Sequence, residues 1–100
     1  MTLYAAKQIP VEAIQFQYTE EGINALRLFA GDAVGAITEE KYSDRVERKA
    51  HVTGALDPTT MEQQRVMSEW SWLVKIPDCD QQVFLIFDDE SFRSTYEEID

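Results

Sequence analysis

One hundred residues carrying 19 Asp and Glu against 9 Lys and Arg give a formal net charge of −10, with 44% hydrophobic and 11% aromatic content. The size and composition predict one folded domain spanning residues 1–100 and exclude a disordered chain. The charge argues against direct nucleic-acid binding and against adhesion to an anionic membrane, since both need a cationic surface.

Along the chain, residues 1–10 show no clear pattern and end at Pro10. From Val11 to Tyr18 apolar residues alternate, with Ile14, Phe16 and Tyr18 on one side, which predicts a half-buried strand. Thr19 is placed to cap a helix over residues 20–30, with Glu20 and Glu21 in its first turn and Gly31 as its stop. Residues 32–38 read as a short strand of small residues in which Gly35 permits a bulge. Residues 39–45 are charged and expected as a loop. Val46, Arg48, Ala50, Val52, Gly54 and Leu56 share one side of a weaker strand. After the Asp57-Pro58 turn, residues 61–70 are expected as the first half of a long strand that pairs with 46–56 and runs into Trp72.

The carboxyl-terminal third organises the rest. Trp70, Trp72, Val74 and Ile76 alternate as one inward side of a strand, and Pro77-Asp78 signals a turn. Gln82 to Phe87 is apolar on both sides after Gln82, which suits a central strand. Asp88 or Asp89 is a good N-cap for a last helix whose Phe92, Tyr96 and Ile99 share one side. The expected fold is therefore α+β: a mainly antiparallel sheet of four to five strands with two helices packed on one face.

Two stretches carry a resemblance. Ile9-Pro10-Val11-Glu12-Ala13-Ile14-Gln15-Phe16 resembles the opening strand of small proteins encoded by tailed bacteriophages and prophages. Trp72-Leu73-Val74-Lys75, Phe84 and Phe92-Arg93-Ser94-Thr95-Tyr96-Glu97 resemble their closing hairpin and helix. Trp70-Ser71 stands where that group has Gly-Asp, Asp80-Gln81 stands where it has glycine, and the middle of the chain does not match. The resemblance implies the cytoplasm of an infected bacterial host as the setting. It implies no catalytic residue.

The chemistry-bearing residues read the same way. Asp78, Asp80, Asp88, Asp89 and Glu90 could offer oxygen ligands to a hard cation, yet the glycine and distal glutamate of a calcium loop are missing, and a turn plus a helix cap account for all five. His51 is the only histidine and falls on the exposed side of a strand. Cys79, the only cysteine, allows no intrachain disulfide, and between Asp78 and Asp80 it is a poor nucleophile, because negative neighbours suppress the thiolate. No apolar run approaches the ~20 residues of a membrane span, and no signal peptide is evident.

No catalytic, cofactor or metal site is expected. The expectation is a non-enzymatic acidic accessory protein that binds a host or phage protein. Residues 78–100 hold eight acidic side chains against Arg93 alone, so Asp88, Asp89, Glu90, Glu97 and Glu98 are candidate contacts, as DNA-mimicking carboxylates or as a solubilising surface. Trp70 is the candidate anchor should its ring prove exposed. Self-association, with the acidic end against the basic stretch Lys41–Lys49, is the alternative, as in a virion or assembly component.

Overall fold

A computed structural model describes residues 11–75 and 83–96. Helix α1 (Glu20–Ala30) starts where its cap dictates: Thr19 is extended, and its hydroxyl accepts the Gly22 N–H at 2.9 Å. Leu26 and Ala30 are buried along its inner stripe. A 3₁₀ turn (Gly31–Ala33) leads to strand β2 (Val34–Lys41), then β3 (Val46–Val52), β4 (Ala55–Leu56), β5 (Val66–Ser68), β6 (Trp72–Lys75), β7 (Phe84–Phe87) and helix α2 (Asp89–Thr95). Strand β1 (Glu12–Gln15) precedes α1.

The class is α+β and mainly antiparallel, as expected, but the strands divide between two sheets. One is four-stranded in the order β1-β6-β7-β4, with β4 parallel to β7; the other is three-stranded in the order β2-β3-β5. Two corners carry the chain from the smaller sheet to the larger. The first, between β3 and β4, turns at Gly54 with φ +76; the second, between β5 and β6, turns at Trp70 with φ +75. The expected long strand over 61–70 is corrected accordingly. The expected pairing with 46–56 is present, through Lys49–Ser68, Ala50–Met67, His51–Val66 and a bridge from Leu56 to Gln63, but the only continuous strand there is Val66–Ser68, and the backbone then reverses hand before Trp72. The expected loop at 39–45 is corrected as well, because β2 continues to Lys41 opposite Val46. The bulge at Gly35 is present as a shift in register between Val34 and Ile37.

The core lies between the sheets and under α1. Phe16, Leu26, Ala50, Ala55, Met67 and Leu73 are fully buried there, joined by Val52, Phe84 and Ile86. Each large side chain so buried stabilises by roughly 1.5–3 kcal/mol. Register assigns the remaining side chains. Leu73 pairs with Ile86 and faces this core, whereas Trp72 pairs with Phe87 and faces away. Helix α1 meets the core side, with Phe29 against Phe84 at 6.3 Å between ring centroids. Helix α2 meets the other side, where Phe92 stacks on Trp72 at 4.1 Å and 6° and stands edge-on to Phe87. The helices therefore take opposite faces of the larger sheet, not one. The apolar run in β7 has the cause expected of it, since a central strand with both faces covered needs no polar side. The Pro77-Asp78 turn, Cys79, Glu97, Glu98 and Ile99 lie outside the described residues.

Candidate protein-binding site

The carboxylates of the last helix have local work to do. Asp88 is its N-cap, accepting the Ser91 N–H at 2.7 Å. Asp89 Oδ1 accepts from the Trp72 indole N–H at 2.9 Å, from Arg93 Nε at 2.9 Å and from Gln15 Nε2 at 3.2 Å. The Trp72 hydrogen bond, opposed by partial desolvation and aided by Arg93, holds the Asp89 carboxyl below its ordinary range. Of the expected acidic contacts, Asp88 and Asp89 thus serve the fold, and Glu90 is the described one whose carboxylate makes no hydrogen bond among the described residues.

The basic stretch is likewise occupied. Lys41 and Arg48 meet Glu39, Arg45 meets Asp44 and Glu47, Lys49 meets Glu47, and Arg48 also reaches Glu69. These pairs neutralise the hairpin within itself, which weakens the case for head-to-tail contact between an acidic and a basic end. His51 is exposed on β3 opposite Val66. Among the described residues no group of three His, Cys, Asp or Glu side chains is placed to hold a metal ion. The larger surface depression, about 790 Å³, is lined by Asp57, Asp88 and Glu90 together with Leu85 and Phe87, and among the described residues no Lys, Arg or His lines it.

Trp70 is different. Residues 68–71 form a β-turn closed by the Ser71 N–H on the Ser68 carbonyl at 3.1 Å. Trp70 holds its third position at φ +75, a left-handed conformation that glycine adopts freely and that a bulky side chain rarely does. The residue is 53% exposed, so the inward placement expected from the alternation of 70, 72, 74 and 76 is corrected. The turn reverses the parity of the pattern: Trp72 and Val74 keep their shared side, and Trp70 leaves it.

The backbone around the indole is held from two directions. The Trp70 N–H donates to the Phe16 carbonyl at 2.7 Å, and its carbonyl accepts from Gln15 Nε2 at 3.0 Å. Just before it, Glu69 accepts from the Tyr18 N–H at 3.3 Å and from Arg48 at 3.3 Å, while Arg48 lies over the Tyr18 ring at 4.9 Å. A shallow groove runs from Trp70 along Val46, Arg48 and Ser68, and Ser68 also borders the larger depression. Val46, which lines the same groove, is exposed too. Met61 shares the exposure and a left-handed backbone, with φ +61, but it lines neither depression, and the other exposed apolar side chains lack the strained turn. Tyr42 is covered by Arg45 at 4.4 Å and bonded to Glu40, and Leu28 stands alone on α1. Alternation with Trp72 and Val74 gave no signal for the exposure of Trp70. No protein-family profile, curated protein or solved structure matches the chain.

Proposed function

We propose that this chain is a small non-enzymatic accessory protein that binds another protein, with the Trp70 indole as its anchor. The observation that carries this reading is one residue. A tryptophan occupies a left-handed turn position at a cost of about 1–2 kcal/mol, and about half of the residue's surface stays in solvent, where a partner can reach it. Tryptophan is among the residues that dominate interface hot spots, and local backbone strain clusters at sites of function. The groove beside it is charge-balanced by its own ion pairs, so apolar contact supplies the affinity. A phage or prophage setting, with a host or phage protein as target in the bacterial cytoplasm, completes the proposal through the sequence resemblance.

A virion or assembly role through self-association is the second reading, favoured by the continuity of Trp70 with exposed Val46, a patch that could pair with its own copy. DNA mimicry ranks below both, because Asp88 and Asp89 spend their carboxylates inside the fold.

The test pairs immobilised wild-type protein with Trp70→Ala in host lysate, alongside light scattering. Wild type should retain a partner that the variant loses, and retention should survive about 1 M salt, where exposed charge pairs are screened. Equal capture by both proteins would refute the anchor. A wild-type dimer abolished in Trp70→Ala would instead select self-association.

A further inference from the structure

We infer that Gln15 and Asp89 are positioning residues for Trp70, so that presentation of the indole depends on helix α2 staying docked. The inference rests on the reading of Trp70 as the anchor, and it supplies that site with a means of regulation. A glutamine carboxamide has two N–H donors. At Gln15 one reaches the Trp70 carbonyl at 3.0 Å and the other reaches Asp89 Oδ1 at 3.2 Å. No other side chain bridges Trp70 and α2 among the described residues. Asp89 is itself held by the Trp72 indole and by Arg93, so the acceptor is fixed before Gln15 arrives. The path is continuous: α2, Asp89, Gln15, and then the carbonyl of the strained turn.

Helix α2 is the weak member of that path. It has seven residues and none is fully buried. It is held by the stacking of Phe92 on Trp72 and by the Asp89 hydrogen bonds. Elements with few buried contacts open at lower free energy than the core. When α2 lifts, Gln15 keeps only the Gln17 Nε2 donor on its Oε1 at 3.3 Å, loses its acceptor on Asp89, and the tether on the Trp70 carbonyl slackens. The brace from Arg48 and Glu69 acts on the other end of the turn and does not involve α2.

Amide hydrogen exchange on the full chain, read residue by residue by NMR, tests this without knowledge of the partner. In Gln15→Leu the Trp70 amide should exchange about tenfold faster, the change expected when ~1.4 kcal/mol of local protection is lost. The amides of Leu73 and Ile86 should keep their protection, and the Trp72 indole N–H should keep its shift, showing that α2 remains docked. Phe92→Ala, which touches neither Trp70 nor Gln15, should speed the Trp70 amide in the same direction by a smaller factor. An unchanged Trp70 amide in Gln15→Leu overturns the inference. So does an equal acceleration at Trp70, Leu73 and Ile86, which would mean general destabilisation. Failure of the anchor itself reads out separately, as undiminished partner capture by Trp70→Ala.

Discussion

Phe92→Ala tests how the last helix is held. The ring is stacked on Trp72 at 4.1 Å, edge-on to Phe87 at 6.2 Å and tilted against Tyr96 at 5.2 Å. Truncating a fully buried phenylalanine costs about 3–5 kcal/mol. Phe92 is only partly buried, so the transfer and cavity contribution falls to roughly two-thirds of that, about 2–3 kcal/mol. The stacked pair, worth ~0.5–1.5 kcal/mol beyond burial, is part of the loss. One limit acts from above. Once α2 detaches, nothing more can be lost through it, so the measured change cannot exceed the free energy of docking this short helix. Urea unfolding followed by tryptophan fluorescence is the assay, and a parallel thermal melt should show the Tm lowered by roughly 8–24 °C for a domain of this size. A loss under about 1 kcal/mol would mean that the stack does not hold the helix, and a loss above about 5 kcal/mol would mean that α2 belongs to the main core.

Trp70→Gly should lower stability by no more than about 2 kcal/mol, because relief of the left-handed backbone, about 1–2 kcal/mol, offsets much of the lost burial of the half-exposed side chain; a loss above about 3 kcal/mol in urea unfolding would show that the indole belongs to the core. Gly22→Ala should destabilise by about 1–3 kcal/mol even though alanine is the better helix former, since a Cβ there would lie 2.3 Å from the Gln17 carbonyl oxygen; thermal melts that match wild type would contradict the geometry. Leu73→Ala should cost ~2–5 kcal/mol by the same melts, because the side chain is fully buried between the sheets. Acid titration addresses Asp89. Its carboxyl is depressed below the unfolded value of about 3.9, so its contribution is fully present above that value and is lost as pH falls through the lower folded one. The Trp72 signal should therefore report loosening of α2 on acidification below about pH 4, with that component missing in Asp89→Asn; superimposable acid limbs would refute it.

What the sequence disclosed was local. Thr19 and Asp88 act within three residues of themselves, so both helix starts could be read directly from the chain. The run in β7 announced its own central position because every side chain in it is apolar. The division into two sheets could not be read, since it turns on two backbone conformations, at Gly54 and Trp70, that alternation rules do not encode. The same blind spot governed the site. Asp89 looked like surface charge because its partners, Gln15 and Trp72, are 74 and 17 residues away. Trp70 looked like core because its neighbours at 72 and 74 are.

The two corners have a consequence for how the molecule can come apart. The smaller sheet takes β2, β3 and β5, while the larger takes β1, β4, β6 and β7, so the chain threads the pair like a stitch through two layers of cloth. Neither layer corresponds to a continuous length of polypeptide, and no single cut would release one of them intact. Assembly must therefore bring distant segments together before either sheet gains its full set of neighbours, which favours slow, all-or-none folding over stepwise growth.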